Sequence, residues 1–241
     1  MKMKNLLAYW RFLPYLHKIL YFNFHYLPFR QALKLPILLY KPHLLECKGE
    51  VKIESDNIYT GMIQLGIFRG RLFQNTGIRW INEGGRCIFR GHCIMKNNSY
   101  IHIRNNSLLD IGDNSEFGPE LRMSVNKMIK IGDNLRLGWM GIVVDSSFHR
   151  LKRKSGEWRE GEADADREIV IGRNNWFGLK CVILKGTKTP DYCIFGATSF
   201  LNKDYSNNPS YILMAGNPLK IKAEDIWRDP IDDSLEELRI F

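Results

Sequence analysis

No acidic residue occurs in the first 45 positions, which carry seven cations: Lys2, Lys4, Arg11, Lys18, Arg30, Lys34 and Lys41. The chain's formal charge is +9, so the remaining residues are only +2. A basic balance of this kind belongs to one segment, and nothing in the main part of the chain calls for a nucleic-acid partner. No C-x-x-C pair exists among the five cysteines, Cys47, Cys87, Cys93, Cys181 and Cys193. An odd, scattered set argues against a disulfide framework and a zinc site and for a reducing, cytoplasmic setting. No run reaches the roughly 18–20 apolar residues of a membrane span. The opening "MKMKNLLAYWRFLPYLHKIL" interrupts its apolar stretch with Arg11, Pro14, His17 and Lys18, so it is not expected to act as a secretory signal.

The acid-free segment is rich in rings: ten of the 29 aromatics fall within residues 1–45. Rings mixed with cations suit a short helix lying in a membrane interface, the rings in the headgroup layer and the cations on anionic lipid. The same rings would equally be buried if the segment packed on the main domain or on a neighbouring subunit. Pro14, Pro28, Pro36 and Pro42 exclude one long helix.

Beyond it the chain has a period of six. In "IGDNSEFGPELRM" the beats are Ile111, Phe117 and Met123; in "IGDNLRLGWMGIV", Ile131, Leu137 and Val143. From 171 onward they are Ile171, Phe177, Ile183, Thr189, Phe195 and Leu201. Every beat but Thr189 is apolar, and glycine follows seven of the twelve. Six residues make one short strand and one turn, with the beat residue inward and a small residue at the corner. Three units close a triangular coil of about eighteen residues, and coils stack as a parallel β-helix. Residues 50–110, with Ile88, Ile94, Ile101 and Ile103, read as degenerate earlier coils.

The beat after Val143 falls on His149, in "VVDSSFHR", and the rhythm then stops. The following "RLKRKSGEWREGEADADRE" (150–168) has nothing to fill a core, so it should loop out beside the histidine, either shaping a substrate pocket or standing free in solvent. Asp145 is the nearest acid that could orient the imidazole; it could equally be a turn residue. His17, His25, His43, His92 and His102 show no three-histidine metal spacing with His149.

These motifs resemble the hexapeptide-repeat acyltransferases, most nearly the O-acetyltransferases of bacterial surface polysaccharide. "REIVIGRNNWFG" (167–178), "CIFGATSFLNKD" (193–204), the closing "AGNPLKI" (215–221) and "VVDSSFHRL" (143–151) carry the likeness, which is strong over residues 107–221 and absent after about 222. The resemblance implies a left-handed all-β parallel β-helix, acetyl-CoA as donor without a metal, and a homotrimer. It implies His149 as general base taking a proton from a sugar hydroxyl. It places Trp176, Gly178, Gly196, Ala197, Ser199, Lys203, Asn217, Pro218 and Lys220 along the cofactor. Leu179 and the pair Thr189–Pro190 depart from the family pattern, and an acceptor-side polar residue has only Ser115, Glu120 and Asn126 as candidates.

The expected organisation is a basic aromatic segment 1–49, a β-helix domain 50–222 with the 150–168 excursion, and a C-terminal tail 223–241 with a short helix interrupted by Pro230. The expected activity is acetyl transfer to a sugar hydroxyl of a cell-surface polysaccharide or its precursor, in the cytoplasm, with a peripheral contact of residues 1–45 with the inner face of the membrane left open. An N-acetyltransferase of a nucleotide-linked amino sugar uses the same base and donor and stays open, as does a noncatalytic β-helix scaffold.

Overall fold

A computed structural model describes residues 10–67, 72–159 and 164–229. The strands fall in coils of three. The first coil is β1 (Ile37–Leu39), β2 (Pro42–Cys47) and β3 (Glu50–Ile53). The second is β4 (Ile63–Ile67), β5 (Ile78–Asn82) and β6 (Arg86–Phe89); the third is β7 (Cys93–Lys96), β8 (Ser99–Ile103) and β9 (Leu108–Ile111). The fourth is β10 (Ser115–Phe117), β11 (Arg122–Val125) and β12 (Met128–Ile131); the fifth is β13 (Arg136–Leu137), β14 (Ile142–Val144) and β15 (Ile169–Ile171). Two shorter coils follow, β16 (Trp176–Phe177) with β17 (Val182–Leu184), and β18 (Ile194–Phe195) with β19 (Phe200–Leu201). Their third sides are single bridges, Val170 to Lys188 and Lys188 to Asp204.

Corresponding strands of successive coils pair in parallel, giving three sheets along one axis. This is the parallel β-helix that the six-residue rhythm predicts. All twelve beat positions are buried, Thr189 included. Thr189 keeps its place through its hydroxyl, which accepts the Gly172 N–H at 3.0 Å and the Asn175 side-chain amide at 2.8 Å. Glycine is required at the corners because coils nearly touch: a Cβ on Gly132 would lie 2.6 Å from Arg173 N. The corner residue after "GD" or "GR" takes positive φ, at Asn114, Asn134 and Asn174, which asparagine tolerates.

Coil length differs from the expected eighteen residues. Ile111 pairs with Ile131, whereas Phe177 pairs with Phe195. The longer coils carry two inward residues on a strand, such as Leu109 and Ile111 or Ile129 and Ile131, and need more chain at the corners.

The β-helix also starts earlier than expected. β1 and β2 lie within the stretch read as a leader, so the 1–49 boundary falls inside the first coil. Ahead of them come a 3-10 turn (Leu13–Tyr15), α1 (Leu16–Tyr26) and α2 (Phe29–Ala32). One face of α1, Ile19 and Phe22, is buried, and Phe22 packs edge-on to Trp80 at 5.4 Å. Buried Asn23 donates to the Ile37 carbonyl at 2.8 Å and accepts the Ile37 N–H at 3.1 Å. It thus occupies the open edge of β1 that an exposed first coil would leave for aggregation.

At the other end, β20 (Ile212–Ala215) continues the first sheet and pairs antiparallel with β21 (Lys220–Glu224). The closing tag forms their turn, with a cis Asn217–Pro218 bond. The tail is therefore strand through Glu224; the C-terminal helix expected around Pro230 lies outside the described residues. No helix among the described residues is long and apolar enough to cross a membrane.

Candidate active site

After β14 the chain leaves the coil at the corner between the second and third sheets. The excursion is a ribbon rather than a free loop. Its base is zipped by an antiparallel bridge of Ser146 with Asp166, and the Ser147 and Arg167 N–H groups donate to the Ala165 and Asp145 carbonyls at 2.9 Å each. Its outer part pairs Lys152 with Trp158, whose indole is approached by the Arg150 guanidinium at 4.8 Å and the Lys152 ammonium at 4.5 Å.

His149 stands on the outgoing limb just beyond the zipped base, and its side chain is exposed. The imidazole has no hydrogen-bond partner among the described residues. Its backbone is held instead: Ser147 Oγ donates to the His149 carbonyl at 2.7 Å, and Lys185 Nζ donates to the same Oγ at 2.9 Å. Phe148 beside it has positive φ, and its N–H donates to Ser146 Oγ at 2.8 Å. The loop is thus fixed while the ring is left to a substrate. Lys185, only 8% exposed, is a contributor that sequence reading missed, since lysine is rarely buried.

Asp145 does not orient His149. It is fully buried and turned towards the coil below. Oδ1 accepts the Asn126 N–H at 2.7 Å and the Asn126 side-chain amide at 3.0 Å; Oδ2 accepts the Lys127 and Met128 N–H groups at 2.8 Å each. Four donors saturate the carboxylate. Its role is to cap the corner between β11 and β12, the alternative that the sequence left open. The Asn126 side-chain oxygen at this corner is buried without a partner. Of the three acceptor-side candidates, Asn126 alone has an uncommitted group of this kind: Ser115 Oγ donates to the Gly112 carbonyl, and Glu120 accepts from Asn98.

The residues expected along the cofactor divide into two groups. Trp176, Ala197, Lys203, Asn217, Pro218 and Lys220 are exposed. Gly178 and Gly196 instead serve stacking: a Cβ on Gly178 would lie 2.6 Å from Ala197 N, and one on Gly196 would lie 2.8 Å from the Ala215 Cβ. Ser199 is buried, its hydroxyl donating to the Gly196 carbonyl at 2.6 Å, so it does not face a ligand. Positions 178, 196–199 and 217–218 line the corner between the first and second sheets, whereas His149 leaves the corner between the second and third. One chain therefore does not place its histidine beside Trp176.

Trp176 opens into a groove of about 550 Å³ on the first sheet, which sequence reading did not foresee. Trp139, Trp227, Arg136 and Arg228 also line it. Its outer wall comes from the segment after β21, where the Ile226 N–H donates to the Tyr211 carbonyl at 2.9 Å. Among the described residues no group of three histidine, cysteine or carboxylate side chains could hold a metal ion.

No protein-family model matches the chain, and no curated protein sequence matches it. Solved structures do. The polySia-specific acetyltransferase NeuO is 22% identical, with 85% of this chain and 87% of that one covered at a TM-score of 0.49. A hexapeptide-repeat-containing acetyltransferase of Vibrio cholerae O1 biovar eltor, complexed with acetyl coenzyme A, is 17% identical, with coverage of 88% and 85% and a TM-score of 0.41. A galactoside acetyltransferase in complex with coenzyme A is 16% identical, with coverage of 90% and 80% and a TM-score of 0.41. The chain is similar, at low sequence identity, to the hexapeptide-repeat acetyltransferases that its own motifs resemble.

Proposed function

We propose that this protein is an acetyl-CoA-dependent acyltransferase that modifies a sugar hydroxyl of a cell-surface polysaccharide or its precursor. The observation that carries the reading is His149: exposed, and without a ring partner among the described residues, it stands on a loop whose backbone is pinned by Ser147 and Lys185. An exposed imidazole with an uncommitted ring nitrogen can accept a proton from a substrate hydroxyl, as a general base must.

His149 takes the proton as the acceptor oxygen attacks the thioester carbonyl. It returns that proton to the sulfur as the C–S bond breaks, leaving an ester and free thiol. Acetyl-CoA, as co-substrate, supplies the acetyl group. The exposed Trp176, Lys203 and Lys220 suit such a donor: an indole face for the pantetheine arm and cations for the phosphates.

The separation of His149 from Trp176 within one chain supports a site assembled between copies, with closed threefold symmetry as the simplest arrangement. The test is acetyl transfer from acetyl-CoA to candidate glycans, with products analysed for an alkali-labile ester. A product amide stable to alkali would instead establish transfer to an amino sugar. A chain that binds no acetyl-CoA by calorimetry would be a scaffold.

A further inference from the structure

A surface helix turns its apolar stripe to the core, and α1 leaves part of its apolar surface outside. Ile19 and Phe22 face the first coils, but the adjoining flank presents Leu16, Leu20 and Phe24 at spacings of four. Leu13 on the preceding turn and Phe29 and Leu33 around α2 extend the exposed surface, with Phe29 67% and Leu33 60% exposed. Phe24 and Phe29 lie ring to ring at 5.8 Å, joining the two helices' contributions. At ordinary side-chain areas these six expose roughly 600 Å², at the top of the ~300–600 Å² that the largest patch of a monomer reaches.

The charge around the patch selects its cover. Arg30 and Lys34 stand exposed on the same stretch of chain, Lys18 is tied to the Pro42 carbonyl at 2.9 Å, and the first acid in the chain is Glu46. Two such faces packed about a twofold axis would bring these cations against one another. An anionic lipid surface instead neutralises them while its acyl boundary takes the leucines and phenylalanines. We propose that the outward face of residues 13–33 docks the protein on an anionic membrane surface, lying in the interface rather than crossing it. This goes beyond the acyl-transfer reading and does not rest on it.

The test is flotation of the full chain with phosphatidylcholine vesicles containing about 30% phosphatidylglycerol, and with pure phosphatidylcholine, at low and high salt. No acetyl-CoA is involved, so a failure here leaves the acyltransferase reading untouched. Flotation with anionic vesicles only, weakened by salt, is expected. Arg30→Gln with Lys34→Gln should weaken it roughly 25-fold, at about fivefold per cation near an anionic surface. Leu20→Ser with Phe24→Ser should abolish it, and because both sites are exposed the melting temperature should hold. The proposal is overturned if the chain floats with neither vesicle, if it floats equally with both and the variants change nothing, or if Leu20→Ser with Phe24→Ser changes the particle mass in light scattering, which would make the face a contact between copies.

Discussion

Replacing Asp145 by alanine removes the acceptor for three backbone N–H groups and one side-chain amide. Hydrogen bonds to a charged group are worth about 1.5–3 kcal/mol each, and groups left buried and unpaired cost a similar amount. Asn126 and Met128 are half-buried and Lys127 is exposed, so water reaches part of the vacated corner. The net loss should be about 3–5 kcal/mol. For a domain of this size that lowers the melting temperature by about 6–20 °C. Asp145→Asn keeps one acceptor oxygen and should lose about half as much. Thermal melts and urea titrations of the three proteins measure this. The key comparison is with turnover well below the melt: a corner cap predicts that activity survives in Asp145→Asn while stability falls. Asp145→Asn melting like the parent but turning over more than 100-fold slower would refute the structural role and restore Asp145 as the orienting partner of His149.

Other outcomes follow from the same geometry. Phe177 and Phe195 stack at 4.4 Å in the core, so Phe177→Ala should cost about 3–5 kcal/mol in urea titrations. Burial pushes the Cys181 and Cys193 thiols up to about 11, and Cys87 and Cys93 also well above their usual range. Each folded-state value is raised above the unfolded value of about 8.5, so the unfolded chain ionises first. Stability is therefore full below pH about 8.5 and should fall as pH rises from there through about 11, at about 1.4 kcal/mol per unit for each thiol. Urea midpoints from pH 7 to about 10.5 measure this, and replacing Cys181 and Cys193 by alanine or valine should flatten the decline. Trp176→Ala removes an exposed ring, so it should raise the KM for acetyl-CoA with little change in melting temperature; an unchanged KM would remove Trp176 from the donor site.

The sequence carried the coil rhythm because each beat points inward from a short strand, and all twelve beats are buried. The first coil was hidden by its composition. Prolines and rings around Ile37–Leu39 resemble a leader, and the pairing partner of β1 lies a whole coil onward at Ile63–Leu65, well off the six-residue beat. Early coils with two inward residues per strand blur a six-residue period, so 50–110 read as degenerate. His149 was legible as an interruption, but its neighbour Asp145 was ambiguous. Closeness along the chain does not fix which way a carboxylate turns, and its partners, Asn126 to Met128, belong to the coil below. Lys185 and the tryptophan groove were invisible for the same reason: stacking coils brings together residues about 20 or 40 positions apart, with no local pattern to mark them.

The central claim is that the free imidazole of His149 performs the proton transfer. His149→Ala should lower kcat for acetyl transfer to the acceptor glycan about 10²–10⁴-fold. Acetyl-CoA affinity by calorimetry and the melting temperature should be unchanged, because the side chain is exposed and has no partner among the described residues. Undiminished turnover in His149→Ala would contradict the account.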